Sequence, residues 1–224
     1  MLNNPKFSII ICLYIPSERF YYDLNKYLNL NFKDFEVILV TEKNTTLKEL
    51  PFQANVVKST KDRISLGEKR DLGIKAAKGK FCAFIDDDAY PDKDWLLNAL
   101  KIFNADSKIG AVGGPNVTSP DDGFWEKVGG FIYESYLTSG KAQLRFIPKR
   151  KRYVMELQGV NLIIKKDILN KLGGFKSRLY SGDDSKVCSN MRLSGYKIVY
   201  DPKVIVYHHR RAFPFGHLKQ IKNM

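Results

Sequence analysis

The chain has 224 residues, enough to bury one full hydrophobic core, and its 44% hydrophobic and 27% charged residues exclude a disordered protein. Its 37 Lys and Arg exceed its 24 Asp and Glu, which gives a formal net charge of +13. This excess predicts an acidic partner, and composition alone leaves nucleic acid, an anionic membrane surface and a phosphorylated small molecule open.

The start of the chain has neither the length of a membrane span nor the charge of a secretory signal. Its longest apolar run, 7–15, is shorter than the ~20 residues that a bilayer requires, and Asn3 and Asn4 precede it in place of basic residues. The three cysteines form no C-x-x-C motif and are expected to be small buried hydrophobic residues. We therefore expect a cytoplasmic chain, and a peripheral position at the inner membrane face stays open.

The first half of the chain alternates apolar runs with helix-like stretches. Strands are predicted at 7–13, 35–40, 55–57, 81–85 and 109–114, and helices are predicted to begin at Ser17, at Ser65 and near 93. Because the strands are continuously apolar, both of their faces must be covered, as in a mostly parallel sheet flanked by helices. Ser65 and Glu68 form a capping box that marks the start of the second helix. This order predicts the α/β class.

The second half is less regular and begins near Gly114. We expect a helix over 124–137, a strand over 160–164, a helix ending at Leu172, a helix from about Asp184, and strands over 196–200 and 204–208. No linker or repeat interrupts the chain, so we interpret 1–224 as one domain with two functional halves. In open α/β sheets ligands bind beyond the carboxyl ends of the strands.

Three consecutive carboxylates, Asp86, Asp87 and Asp88, follow the fourth predicted strand. Side chains alternate along an extended chain, so Asp86 and Asp88 project to one side and Asp87 to the other. Two carboxylates facing one point repel each other unless a cation lies between them, and such oxygen ligands suit Mg²⁺ or Mn²⁺. The alternative is a solvated acidic turn that caps the next helix. The position at the carboxyl end of a buried strand favours the metal.

A second acidic pair, Asp183 and Asp184, precedes a short predicted helix. One of the two can simply cap that helix, while the other points into a cleft. A helix N-terminus favours the ionised form of a carboxylate, which is the form that a general base needs.

Six segments taken in order resemble a family 2 inverting glycosyltransferase of the non-processive type with the GT-A fold. They are FSIIICLYIPSE, FEVILVTEKNTT, KRDLGIKAAKGKFCAFIDDDAYPD, IGAVGGPN, LQGVNLIIKKDILNKLGGF and SGDDSKVCSNMRLSGYKIVYDPKVIVYHH. The resemblance implies that 1–114 binds a nucleotide-diphosphate sugar and that 115–224 binds the acceptor. Similar proteins often continue into further helices, so a catalytic domain trimmed at its C-terminus is expected.

The resemblance also implies roles for the acidic residues. Asp86 and Asp88 would bind the ribose and the divalent metal of the donor, with Asp88 the preferred metal ligand and Asp87 in the same motif. Asp184, in preference to Asp183, would be the catalytic base. His208 is a candidate further ligand, because imidazole suits Mn²⁺ and the strand over 204–208 ends at the same edge; a histidine that merely caps the sheet is the alternative.

Further residues of the donor site come from the same comparison. Thr41 and Glu42 occupy the place of an acidic pair that contacts the nucleotide base, and Arg70 and Asp71 occupy the place of an Arg-Asn pair. Thr41-Glu42-Lys43-Asn44 departs from the usual acid-acid-Gly-Ser, so UDP is only the default expectation for the nucleotide.

Other positions in the second half refine the comparison. The segment after Asp184 lacks the Q-x-x-R-W motif of processive enzymes, which favours transfer of one sugar. The Gly159 backbone and Asn161 are suggested to face donor or acceptor. Core packing is the favoured role for Trp95 and Trp125 over stacking on a sugar.

Two groups of basic residues contribute much of the positive charge. They are Lys141, Arg145, Lys149, Arg150, Lys151 and Arg152 in the first group and His208, His209, Arg210, Arg211, Lys219 and Lys222 in the second. Such groups are often solvated faces. The sharper hypothesis is that a basic loop over 140–152 meets the diphosphate or a glycan or polyprenyl-phosphate-linked acceptor, and that the C-terminal group meets an anionic membrane surface. Nucleic acid is not expected, because acidic clusters occupy the binding edge.

Two other functions stay open. A sugar-phosphate nucleotidyltransferase also holds a nucleotide and a metal on an α/β sheet, but it is expected to carry a Gly-rich phosphate loop after the first strand, unlike 13–17 here. A catalytically inactive relative that only binds a sugar or nucleotide also fits the sequence.

Overall fold

The computed structural model describes residues 4–175 and 182–214, which contain two sheets. The strands are β1 (Phe7–Cys12), β2 (Phe35–Thr41), β3 (Asn55–Lys58), β4 (Phe81–Ile85), β5 (Ala89–Pro91), β6 (Ile109–Gly113), β7 (Asn116–Thr118), β8 (Arg152–Tyr153), β9 (Leu162–Lys165), β10 (Lys197–Tyr200) and β11 (Val206–His208). The helices are α1 (Glu18–Tyr27), α2 (Leu66–Ala76), α3 (Trp95–Ala105), α4 (Phe124–Glu134), α5 (Tyr136–Ser139), α6 (Lys166–Leu172) and α7 (Asp183–Leu193), with 3₁₀ helices at Gly140–Arg145 and Gly159–Asn161.

The central sheet has the strand order β3-β2-β1-β4-β9-β6-β10-β8. Strands β1 to β4 are parallel, as are β6 and β10, so the predicted mostly parallel sheet is confirmed. Strand β9 runs antiparallel to both of its neighbours, and β8 runs antiparallel to β10. The 3₁₀ helix Gly159–Asn161 already lies at the carboxyl end of β4, so the strand that follows it must run back across the sheet.

Each face of the central sheet carries its own hydrophobic core. Ile9 of β1 packs in the cluster that includes Trp95 of α3, whereas its neighbour Ile10 packs in the cluster that includes Met191 of α7. This two-sided burial explains why the strands are continuously apolar. All three cysteines are free and buried, as predicted.

The helix starts at Ser17 and Ser65 are confirmed by their caps. The Ser17 side chain accepts a hydrogen bond from the Phe20 backbone N–H, and Ser65 forms the predicted reciprocal box with Glu68. Among the described residues, no helix combines the length and the apolar composition that crossing a bilayer requires.

Several predicted elements in the second half are wrong in extent. The predicted strand 160–164 begins as a 3₁₀ turn and becomes β9 only at Leu162, and 204–208 shortens to β11, which joins a separate three-stranded sheet of order β5-β11-β7. The predicted helix 124–137 divides at Ser135, whose extended backbone (φ −79°, ψ 133°) ends α4. Strands β5, β7 and β8 have three residues or fewer, too few to produce a recognisable hydrophobic pattern.

Candidate active site

A cavity of about 460 Å³ lies beyond the carboxyl end of β4, and both predicted acidic clusters line it. Asp86 and Asp88 come from the segment after β4, and Asp183 and Asp184 come from the start of α7. The two clusters therefore face the same space.

Asp86, Asp88 and His208 offer one ligand atom each within 4.8 Å of one another. Asp86 and Asp88 converge, but they do so across the turn that joins β4 to β5 and not along an extended strand as expected. Asp87 is outside the lining of this cavity. His208 ends β11, which pairs with β5 so that His208 lies opposite Ala89. Its Nε2 is 3.0 Å from Asp88 Oδ1. Two carboxylates and one imidazole are a donor set that fits Mn²⁺ or Mg²⁺.

The electrostatics of the three aspartates favour a cation. Burial, reinforced by Asp88 and Asp86, raises the pKa of Asp87 to about 7. Burial also raises the pKa of Asp86, which Arg70 offsets only in part. Burial opposes the ionisation of Asp88, yet the hydrogen bond with His208 holds its pKa below the ordinary value. A divalent ion between the carboxylates would relieve this repulsion.

Arg210 connects His208 to the cavity wall, although the sequence indicated only a basic C-terminal group. Its Nη1 donates to His208 Nδ1 at 2.9 Å, so His208 Nε2 carries the hydrogen that is donated to Asp88. Arg210 is buried, with its guanidinium 5.6 Å from the Tyr133 ring centroid and 5.0 Å from that of Phe146. His208 can bind a metal through Nε2 only as the tautomer with its hydrogen on Nδ1, so Arg210 Nη1 would have to move away from Nδ1.

The paired aspartates of α7 have different partners. Asp183 is buried, and its Oδ2 accepts a hydrogen bond from Arg70 Nη1 at 2.6 Å. Asp184 Oδ2 accepts from the Gly159 backbone N–H at 3.0 Å, and Oδ1 accepts from the Ser185 N–H at 2.8 Å. Asp183 is thus committed to an ion pair, whereas the hydrogen-bond donors to Asp184 within 4–175 and 182–214 are backbone groups at the cavity wall.

Arg70 joins the two acidic clusters. Besides its bond to Asp183, its Nη2 lies 3.7 Å from Asp86 Oδ1. Burial alone would lower the pKa of this guanidinium, but Asp86 and Asp183 raise it. A Cβ at Gly159 would lie 2.0 Å from Arg70 Nη2, so only glycine leaves room for the arginine.

The remaining donor-site candidates lie apart from the acidic clusters. Glu42 lines a second cavity of about 320 Å³ with Tyr14 and Asn44. Thr41 is fully buried. Asp71 Oδ1 accepts a hydrogen bond from the Phe175 backbone N–H at 2.7 Å, which ties α2 to the turn after α6.

Lys69 is a buried lysine beside the candidate residue Glu42 that sequence reasoning missed. Its side chain is buried, Nζ donates to the Leu13 carbonyl at 2.7 Å, and Nζ lies 3.1 Å from Glu42 Oε1. Nζ also lies 3.1 Å from the centroid of the Tyr14 ring. Burial lowers the pKa of Lys69, although Glu42 opposes that shift. The one sequence signal was its place beside Arg70 on α2.

Asn161 and the tryptophans complete the comparison with the sequence. Asn161 is buried, its Oδ1 accepts from Trp95 Nε1 at 2.9 Å, and its Nδ2 donates to the carbonyls of Pro115 and Val204. The Asn161 amide therefore holds the core together, while the residue also lines an adjoining cavity of about 490 Å³, so its suggested contact with donor or acceptor stays a prediction. Core packing is confirmed for Trp95 but wrong for Trp125, which is 55% exposed.

Comparison with known proteins identifies the family. Residues 5–222 match the model of the family described as Glycosyltransferase like family 2. Glycosyltransferase AglE of Haloferax volcanii is 28% identical over 149 residues, which are 66% of this chain and 45% of that protein. The pre-mycofactocin glycosyltransferase of Mycobacterium tuberculosis is 25% identical over 143 residues, which are 64% of this chain and 30% of that protein. The matched segment makes up less than half of either relative.

Solved structures share the fold at lower identity. Mannosyltransferase PcManGT from Pyrobaculum calidifontis, in complex with GDP-Man and Mn²⁺, superposes with a TM-score of 0.68 at 19% identity over 99% of this chain and 61% of that one. S. aureus TarS 1-349 in complex with UDP-GlcNAc gives a TM-score of 0.67 at 18% identity over 93% of this chain and 60% of that one. The predicted GT-A fold is confirmed. Since the family match spans nearly all of its length, the chain belongs to the Glycosyltransferase like family 2.

Proposed function

We propose that this chain is the catalytic domain of a metal-dependent, inverting glycosyltransferase that moves one sugar from a nucleotide-diphosphate sugar to an acceptor hydroxyl. The observation that carries the proposal is that Asp86, Asp88 and His208 line the same cavity as Asp184. A transferase of this kind needs the leaving diphosphate neutralised and the acceptor hydroxyl deprotonated on either side of one sugar.

Asp88, Asp86 and His208 would hold Mn²⁺ or Mg²⁺. When bound there, the ion stabilises the negative charge that grows on the departing diphosphate. We propose a nucleoside diphosphate without naming its base, because the two structural neighbours are complexes with donors of different bases, GDP-Man and UDP-GlcNAc. The region proposed for the nucleotide base is bordered by Glu42, Lys69 and Thr41. Asp71 would contribute only indirectly, because its bond to the Phe175 N–H holds α2 in place.

Asp184 is the proposed base. The Gly159 N–H and the start of α7 orient its carboxylate toward the cavity, where Oδ2 would take the proton of the attacking hydroxyl. Asp183 is proposed to position Arg70 instead, because a carboxylate already paired with a buried arginine is a poor proton acceptor. Attack opposite the leaving group in a single displacement inverts the anomeric centre, and Arg70 and Arg210 provide positive charge along the cavity for the diphosphate.

A lipid-linked acceptor is favoured by an adjoining cavity of about 490 Å³. It shares Asn116 and Gln158 with the first cavity and is lined by basic and apolar residues from the predicted basic loop and the strand after it, including Lys141, Tyr153 and Met155. Such a wall suits an acceptor that joins a phosphate to an apolar chain.

The test supplies a panel of nucleotide sugars, Mn²⁺ and an acceptor hydroxyl, either that of a lipid-linked glycan or water, and measures release of the nucleotide diphosphate as the sugar passes to that hydroxyl. It compares Asp184→Asn, Asp183→Asn and the wild type. We expect Asp184→Asn to lower kcat at least 100-fold, the size of a general-base contribution, with donor affinity retained. Asp183→Asn should instead weaken donor binding through Arg70. Asp167→Asn, at the exposed start of α6, is the matched control and should match the wild type.

The alternatives give different outcomes in the same assay. An inactive relative would bind nucleotide but release no diphosphate with any sugar. A nucleotidyltransferase would release pyrophosphate from a nucleoside triphosphate and a sugar phosphate. Unchanged turnover in Asp184→Asn would refute the assignment of the base.

A further inference from the structure

We propose that the outer surface of α4 and α5 docks into the surface of an anionic lipid bilayer. This surface, here called the aromatic face, is formed by Phe124, Trp125, Phe131, Tyr136 and Leu137, whose exposed fractions range from 55% to 95%. Single exposed apolar residues are normal, but five large ones on two consecutive helices form a patch of the kind that marks an interaction site.

The two sides of α4 have different surroundings, since the inner side packs against the protein and the outer side is exposed. Phe124, Lys127 and Phe131 recur at i, i+3 and i+7 and share the outer side. On the inner side, Gly130 packs so closely on β7 that a Cβ there would lie 2.2 Å from a side-chain oxygen, and Tyr133 lines the active-site cavity. The inner side therefore closes the cavity, and packing among the described residues does not account for the apolar outer side.

Charge near the aromatic face selects an anionic bilayer as the occupant. Lys127 lies on α4 itself, and Lys141 lies on the 3₁₀ helix that packs against α4 and α5. Both are exposed, as are Lys149 and Arg150, and none of the four forms an ion pair with a described residue. Aromatic and aliphatic side chains beside lysines and arginines are typical of helices that lie in the membrane interface. A second copy of this chain is disfavoured, since its formal net charge is also +13.

The inference extends the proposed function by naming the surface that would present the acceptor, and it rests on that function only for this purpose. Lys141 borders both the aromatic face and the cavity proposed for a lipid-linked acceptor. A bilayer against α4 and α5 would therefore bring an acceptor headgroup within reach of Asp184. Membrane binding itself is measured without donor or metal, so the two proposals can fail separately.

The test is co-sedimentation with vesicles of phosphatidylcholine alone or with about one third phosphatidylglycerol. We expect binding to the anionic vesicles, and at least a tenfold lower partition coefficient for Phe124→Ser/Phe131→Ser/Leu137→Ser. The control variant Tyr22→Ser/Leu193→Ser also removes two exposed apolar side chains, 65% and 85% exposed, but on α1 and α7. It should bind like the wild type. Circular dichroism and the midpoint of urea unfolding verify that both variants are folded.

A second measurement reports how deeply the aromatic face enters the bilayer. Trp125 is half exposed whereas Trp95 is fully buried, so lipids with brominated acyl chains should quench Trp125, and Trp125→Phe should abolish the quenching. Equal vesicle binding by the triple variant would overturn the proposal, as would binding without quenching, which would indicate attraction to the basic residues alone. Self-association in solution that the triple variant abolishes would overturn it too, by identifying a second copy as the occupant.

Discussion

Arg70 and Gly159 together position the acidic residues of the site. The arginine bonds Asp183 and approaches Asp86, and the glycine supplies both the space beside the guanidinium and the N–H that orients Asp184. A change at Gly159 is therefore expected to act on all three carboxylates at once.

Gly159→Ala should lower kcat/KM at least tenfold and cost about 1–3 kcal/mol of stability, because its methyl group would meet Arg70 Nη2 at 2.0 Å. Steady-state kinetics and urea unfolding measure the two effects. Gly123→Ala is the control, since its methyl would meet only the flexible end of Glu126. Wild-type kinetics in Gly159→Ala would mean that the position of Arg70 is unimportant for turnover.

The individual residues differ in how far the sequence could identify them. The convergence of Asp86 and Asp88 was expected from alternation along an extended chain, but the structure achieves it through a turn between β4 and β5. Lys69 could not be found in this way, because its partners Leu13 and Glu42 come from the ends of two other strands. The core hydrogen bonds of Asn161 could not be predicted either, since its partners are far away in the sequence.

Three separate segments are tied together by one buried histidine, His209. Its Nε2 lies 2.7 Å from Asp23 Oδ2 of α1, and its Nδ1 contacts Asp122 Oδ1 of the turn before α4. Burial opposes the charged form, but the hydrogen bonds to Asp122 and Asp23 raise the pKa of the imidazole. This link fixes the chain immediately after His208 and hence the position of the candidate ligand.

His209→Gln should destabilise the protein by about 3 kcal/mol, because it leaves two buried carboxylates without their shared cation. Urea denaturation measures this loss. The double variant Asp122→Asn/His209→Gln should recover part of the lost stability, because it also removes the negative charge of one of the two carboxylates that the histidine had paired. A loss below about 1 kcal/mol would indicate that water reaches these carboxylates.

Helices with caps and long apolar strands were predictable, whereas the short elements around the site were not. Ser17 and Ser65 mark the starts of α1 and α2, because each side chain caps its helix through a local hydrogen bond. Strands β5, β7 and β11 are three residues each and depend on pairing with one another. Of the small sheet that carries His208, only β11 was predicted, as the longer apolar run 204–208, whereas β5 and β7 leave no recognisable pattern in the sequence.

The molecule as a whole places unlike charges around one cavity at the carboxyl edge of its sheet. The continuously apolar strands made this architecture predictable, because they require covered faces and a ligand site beyond the strand ends. The antiparallel course of β9 was not predictable, since it follows from a turn whose contacts span the molecule. Mutual repulsion among the three aspartates after β4 remains in the metal-free protein and couples the site to global stability.

Mn²⁺ should therefore stabilise the entire protein. At about 100 times its Kd, binding only to the folded state raises the melting temperature by about 5–10 °C, and a chelator should reverse the shift. Asp88→Asn should abolish this increment, measured against the metal-free melting temperature of the same variant, because Asn keeps an acceptor for His208 but loses the charge that attracts the cation. Glu49→Gln, at an exposed position, should retain the full increment. An undiminished Mn²⁺ shift in Asp88→Asn, measured by differential scanning fluorimetry, would place the cation elsewhere and remove the metal from the proposed mechanism.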